Sequence, residues 1–204
     1  MMNPRGMAIL AAVGIAGAAN ASVVNFVSNP GLEQLGAFTG SMEWTYLGDN
    51  AGTLEITLTN TSPVDNGGYL TGLAFRAVYN DSLKIVYASD HENWLEVIDE
   101  NCSPWGVFDH GAAVGGDWTG GGQPSAGIGV GETWSFLFDV RGDPTLLASI
   151  VAHDFFDESD GWGFAARFRG FEDGGSDKVN ASLPAPGVLT ALAMGAAGSR
   201  RRRR

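Results

Sequence analysis

The side chains in this sequence that could do acid–base or metal chemistry are 23 carboxylates and three histidines. The carboxylates bunch in two places: Asp154, Asp157, Glu158 and Asp160 precede Gly161, and Glu172, Asp173 and Asp177 surround Gly174-Gly175. Calcium takes six to eight oxygen ligands, and loops between strands often supply them. The first bunch is therefore the calcium candidate, but the D-x-D-x-D-G spacing of a calcium loop is missing, and solvated loop acids are the plainer reading. His91, His110 and His153 lack the spacing of a zinc set such as H-E-x-x-H. Ser125 sits in Gly-Gln-Pro-Ser-Ala-Gly, which is not the G-x-S-x-G elbow of hydrolases. Two carboxylates could serve a glycosidase, yet any acidic chain offers such pairs by chance. No catalytic residue, cofactor or metal ligand is assigned on this basis.

Aromatic side chains suggest a different chemistry. Trp118 lies in the run Gly115-Gly116-Asp117-Trp118-Thr119-Gly120-Gly121-Gly122, with Trp105 shortly before it. Exposed indoles stack on sugar rings, so both are candidates for carbohydrate binding; the alternative is that each pins a long loop to the core. Cys102 is the only cysteine, which excludes an internal disulfide and a multi-thiolate metal site. A lone buried cysteine behaves as a small hydrophobe.

Charge limits the partners. All 23 acids lie between Glu33 and Asp177, whereas six of the 12 bases are Arg5 and Arg200 to Arg204. The stretch between those arginines carries six bases against all the acids, a net charge of −17. Nucleic acid and anionic lipid would be repelled by it.

The elements that would position these residues are strands. Leu54, Ile56 and Leu58 alternate with polar residues, and Asn66-Gly67-Gly68 turns the chain into Tyr69 to Tyr79. Trp134, Phe136, Phe138 and Val140 share one face, with Trp134 read as a core residue, and Phe164, Ala166 and Phe168 repeat the pattern. Arg167 and Arg169 alternate with that last row and would point outward. Shorter strands are expected at 23–28, 43–47, 83–87 and 93–98. Thr145 to Phe156 is the exception: Asp143 can cap a short helix with Pro144 at its first position. Thirty glycines, many short strands and one crossover helix predict an all-β domain over 22–182. Its expected architecture is an antiparallel β-sandwich of immunoglobulin-like or jelly-roll type.

The two ends read as addresses. Residues 1–21 have the layout of a signal peptide: Arg5 in the positive region, Gly6 to Ala18 as the apolar region, and Ala19-Asn20-Ala21 as a small-x-small cleavage site before Ser22. Residues 183–204 begin with Leu183-Pro184-Ala185-Pro186-Gly187, continue through an apolar stretch to Gly198, and end in Arg200, Arg201, Arg202, Arg203 and Arg204. The prolines stop any preceding element, and the arginines hold the end in the cytoplasm. As a helix, 183–199 would reach about 25 Å, short of the ~30 Å hydrocarbon core. A weak span suits a transient tail better than a permanent anchor.

This tripartite tail resembles the PEP-CTERM sorting signal, with Ala185 standing where the namesake glutamate would be. The resemblance covers about 20 residues and implies a sorting helix recognised and cut by an exosortase-type protease. It also implies transient inner-membrane insertion, an exopolysaccharide setting, and delivery to the cell surface or extracellular matrix. The function expected is that of a non-enzymatic exported protein whose processing partners are signal peptidase and the sorting protease. A carbohydrate-binding module or adhesin using Trp105 and Trp118 is the alternative, and a secreted hydrolase a more distant one.

Overall fold

The computed structural model describes residues 21–159 and 161–184. Ten strands form in chain order: β1 (Ala21–Ser28), β2 (Phe38–Gly48), β3 (Ala51–Asn60), β4 (Gly67–Phe75), β5 (Lys84–Tyr87), β6 (Trp94–Asn101), β7 (Val107–Val114), β8 (Thr133–Arg141), β9 (Phe164–Phe171) and β10 (Ser176–Ser182). The fold is all-β; among the described residues every strand pair is antiparallel and helix is confined to short pieces. Hydrogen bonds join the strands in the order β5-β8-β3-β2-β1-β10-β9-β4-β7-β6. The sheet rolls until its two ends meet, and the Tyr87 N–H of β5 donates to the Glu96 carboxylate of β6 at 2.8 Å across that seam. The result is a nearly closed, barrel-like sheet.

Period-two alternation explains the walls. Along β3, Leu54, Ile56 and Leu58 are buried while the threonines and Glu55 between them face out. On β8 Phe136, Phe138 and Val140 are buried, but Trp134 is only half-buried. It stacks on His91 with ring centroids 4.9 Å apart, and so covers the rim of the core instead of filling it. Phenylalanines cross the interior: Phe75 of β4 meets Phe138 of β8 edge-on at 5.2 Å, and Phe26 of β1 meets Phe164 of β9 at 4.7 Å. Trp44 is fully buried because Gly52 leaves room; a Cβ there would stand 2.0 Å from the indole.

The expected crossover helix is present and shorter than its sequence pattern. Helix α1 spans Pro144–Ser149, and the Asp143 carboxylate caps it by accepting from the amides of Thr145 and Leu146 at 2.8 and 3.2 Å. The chain then extends and makes a separate 3-10 turn over Ala152–Phe155. That break lets Phe155 pack on Trp44 and Phe156 on Phe26, at 5.2 and 5.3 Å, plugging one end of the roll.

Candidate functional site

The glycine run is held down, not displayed. Trp118 is 1% exposed and packs with Ala74, Cys102, Phe108 and Ala165 in a second apolar cluster on the outer side of the sheet. Trp105 and Trp162 cover that cluster and are half-buried. The expectation that Trp118 presents a sugar-stacking face is thereby corrected, since both faces of its indole are covered. Trp105 keeps part of its surface in solvent. The fastening comes from two arginines expected to point free of the sheet. Arg169 donates to the carbonyls of Gly120 (2.7 Å) and Gly121, and Arg167 donates to that of Thr119 at 3.3 Å. Burial lowers the pKa of both guanidinium groups, and Arg169 lowers that of Arg167 further by like-charge repulsion. Asp117 completes the loop by accepting from the Thr119 hydroxyl and amide at 2.7 Å each, which lowers its own pKa.

The acidic bunches hold their own backbone. Asp154 accepts from the Val151 amide at 2.8 Å, and the two oxygens of Asp157 take the amide and hydroxyl of Ser159 at 2.9 and 3.0 Å. Glu158 is exposed, and Asp160 lies outside the described residues. Asp177 is buried and accepts from the amides of Glu33, Leu35, Gly36 and Lys178 at 2.8–3.0 Å, so it folds the 31–36 loop onto β10. Among the described residues no three His, Cys, Asp or Glu side chains converge as a metal set would.

The histidines are apart. His91 bonds the Ser135 carbonyl through Nε2 at 2.7 Å, and His153 is exposed. His110 is buried with Nε2 2.8 Å from the Asn80 side-chain oxygen, so Nε2 carries the proton and Nδ1 is left bare. Burial lowers its pKa. Cys102 is buried and free, and burial raises its thiol pKa well above the usual range.

A concave site that the sequence patterns did not single out lies on another part of the surface. The segment after β4 meets the start of β7 and the loop carrying Asp157, and between them lies a cleft of about 470 Å³. Its wall includes Arg76, Tyr79, Asn80, Asp81, Asp109 and Asp157. Arg76 is 8% exposed and its guanidinium lies 4.5 Å from the centre of the Phe108 ring. One edge of the guanidinium is spent on the chain: Nε donates to the Val107 carbonyl at 2.9 Å and Nη2 to that of Trp105 at 2.8 Å. Nη1 is buried and has no partner among the described residues. Asp109 is fixed by accepting from the Ala77 amide at 3.0 Å, and Asn80 by its bond to His110. The Asp81 carboxylate is exposed. No sequence motif announces this set, because three separate segments supply it.

At the ends, Ala21 and Ser22 open β1, opposite Thr45 and Trp44. Ala19 lies outside the described residues. Pro184 closes the described chain, while Ala185, Pro186, Gly187 and Arg200 to Arg204 lie outside it. Among the described residues no helix is long and apolar enough to cross a membrane. Compared with known proteins, the chain matches no family model, no curated protein and no solved structure.

Proposed function

We propose that this chain is exported, trimmed at both ends, and works as a non-enzymatic cell-surface or matrix protein. One observation carries the reading. The ten strands run from Ala21 to Ser182, between the segment that reads as a signal peptide and the segment that reads as a PEP-CTERM-like tail. The register of β1 adds to it. Ala21 stands at one end of that strand, and Ser182 pairs with Val27 near the other, six residues or about 20 Å away. A domain tethered by its C-terminal tail would thus hold its new N-terminus away from the point of attachment. The acids that looked available for chemistry, Asp154, Asp157 and Asp177, are each engaged in shaping a loop.

For the architecture we favour a jelly-roll sandwich. β1 and β10 share only two registered pairs, Val27–Ser182 and Ser28–Ala181, so the sheet is narrowest where its two five-strand halves join. β8 lies between β3 and β5 in one half, and β7 lies between β4 and β6 in the other. The chain therefore winds between halves in the interleaved order of a jelly roll.

The test is localisation by cell fraction together with intact mass, in cells with and without the sorting protease. With the protease, the protein is expected outside the inner membrane, starting at Ser22 and lacking its arginine end. Without it, the chain is expected to stay at the membrane with the tail intact. Identical mass and location in both strains would refute the sorting role.

A further inference from the structure

We propose that Glu96 and His110 form a latch across the seam between β5 and β6. It parts when His110 gains a proton on Nδ1, while the strands on either side stay paired. The proposal does not depend on the export reading. β5 and β6 are the two ends of the strand order: β5 pairs with β8 and β6 with β7, so no described strand ladder crosses the seam. Side chains bridge it instead. The Glu96 carboxylate accepts from the Tyr87 amide at 2.8 Å, and His110 Nε2 donates to the Asn80 side-chain oxygen at 2.8 Å. Asn80 opens the 3-10 turn Asn80–Ser82 that leads into β5, so both bonds hold the same segment, residues 80–87. Their anchors share a face of the β6–β7 pair. Glu96 stands opposite Ala112 and Ile98 opposite His110, which makes Glu96 and His110 diagonal neighbours.

His110 is the sensitive half. Its ring is buried against Phe75, with centroids 5.8 Å apart, and Nδ1 has no hydrogen-bond partner among the described residues. A proton on Nδ1 makes a buried cation whose new donor lacks an acceptor. The charged groups acting on the ring are acids, Glu96 and Asp99 from β6 and Asp109 beside it on β7, and each favours the proton. β4 brings the Phe75 ring, the turn before β5 the Asn80 amide, and β5 the Tyr87 ring, which lies beyond Phe138. Of the other charges on those segments, Asp81 and Lys84 are exposed and Arg76 is bonded to the Val107 and Trp105 carbonyls. In the closed seam burial outweighs the acids and holds the His110 pKa below its ordinary value. Once the seam parts, water reaches the ring, so the burial penalty goes and the acids remain. The open form therefore binds the proton more tightly than the closed one. The latch is shut above about pH 6.5 and loosens below it, by up to about tenfold per pH unit. Glu96 is drawn toward the new cation and away from the Tyr87 amide, which loses its acceptor. β6 yields easily at this point. Asp99 sits at φ 51°, a left-handed conformation costly for a residue other than glycine, and beside it the ladder skips from Ile98–His110 to Glu100–Phe108.

Amide hydrogen exchange of the isotope-labelled full chain, read by NMR between about pH 7.5 and 5.5 and corrected for the intrinsic rate, tests the latch. The Tyr87 amide reports the seam, and the Ile56 amide, in the middle of β3 between two paired strands, reports the whole fold. Protection of Tyr87 is expected to fall at least tenfold over that range. At the lower pH it should stand at least a hundredfold below that of Ile56. In His110→Gln, which keeps a donor for Asn80 and does not titrate, the fall should shrink to less than twofold. The comparison of two amides within the wild-type chain needs no variant, so it holds whether or not that variant folds. Protection of Tyr87 equal to that of Ile56 at every pH would mean that the seam opens only with the whole fold, and would overturn the latch. A Tyr87 protection that does not fall, or that falls as steeply in His110→Gln, would overturn it too. None of these outcomes bears on localisation, so the export reading stands or falls separately.

Discussion

The Ser22 hydroxyl oxygen accepts a hydrogen bond from the Ala152 amide at 2.8 Å, joining residues 130 positions apart. Ser22 is the residue that the proposed cleavage after Ala21 would make the first of the mature chain. It stands in β1 opposite Trp44, and Ala152 opens the turn whose Phe155 packs on Trp44. An N-terminus made by the proposed cleavage would thus already be part of the fold.

It follows that the Ala21–Ser22 peptide is a good substrate only before β1 pairs. N-terminal sequencing of the exported protein is expected to give Ser22. Purified precursor, once folded, should be cut by signal peptidase at least tenfold more slowly than the same chain in urea that the peptidase tolerates. Ser22→Ala should cost about 1 kcal/mol in denaturant unfolding, the worth of one ordinary hydrogen bond. Equal cutting of folded and unfolded precursor would mean that the end of β1 is open in solution.

Asp177 should be the acid whose loss is felt most in stability. Four backbone amides converge on its buried carboxylate, and a Cβ on Gly31 would stand 2.2 Å from one of its oxygens. Asp177→Ala leaves those amides without their acceptor and should cost about 2–5 kcal/mol. Asp173→Ala, on an exposed turn nearby, should cost less than about 0.5 kcal/mol. Urea midpoints for the two variants check this; equal losses would show that the 31–36 loop does not depend on its buried acid.

The contrast between those two acids shows what the sequence made legible. Strands with polar and apolar residues in strict alternation, such as β3 and β8, could be read directly. β7 could not, because Gly111, Ala112, Ala113 and Val114 are all buried in sequence and leave no alternation. β10 was hidden for the opposite reason: it buries Asp177 and Asn180, polar residues that serve a loop and a neighbouring side chain. Composition could propose that Asp177 was a ligand carboxylate, but only the path of the 31–36 loop makes it a backbone anchor. The cleft was illegible for a related reason. Arg76, Asp81, Asp109 and Asp157 become neighbours only after β4, β7 and the 157 loop have docked.

Trp134 tests the difference between facing inward and being enclosed. Its row on β8 suggests a core tryptophan whose truncation costs about 3–5 kcal/mol. It is only partly buried, stacked on His91, so Trp134→Ala should cost about 1–3 kcal/mol. Phe136→Ala, two residues on and fully buried, should cost about 3–5 kcal/mol. Denaturant unfolding of both variants gives the order, and a larger loss at Trp134 would mean that the rim is closed in solution.

His110 should make stability fall as the solution is acidified. Burial lowers its folded pKa below the ordinary 6.5, and Asp109, Glu96 and Asp99 offset only part of that. Below about pH 6.5 the unfolded chain takes up a proton that the folded chain refuses, so unfolding gains by up to ~1.4 kcal/mol per pH unit until the folded pKa is reached. Above pH 6.5 the group has no effect. His110→Gln removes the titration while keeping a side chain that can donate toward Asn80. Between pH 6.5 and 5, the Tm of wild type should fall more steeply than that of the variant. Carboxylates common to both cancel in the comparison, and parallel curves would show that His110 titrates alike in both states.

The tail makes the most discriminating prediction, because its parts have separable roles. On the proposed sorting reading, Pro184 and Pro186 would break the chain after β10, the apolar stretch would insert, and Arg200 to Arg204 would hold the end in the cytoplasm. Replacing the five arginines by neutral residues should release full-length protein from the inner membrane, since nothing then opposes translocation of so short a span. Replacing Pro184 and Pro186 by alanine should leave insertion intact and block cutting, because a helix could then continue through the cleavage region. Fractionation and intact mass separate the two products: the first free and full-length, the second membrane-held and full-length. The strands between Ala21 and Ser182 are untouched by either change, so both variants should fold and unfold like wild type. If both variants are cut and exported as wild type is, the tail carries no sorting information, and export rests on the signal peptide alone.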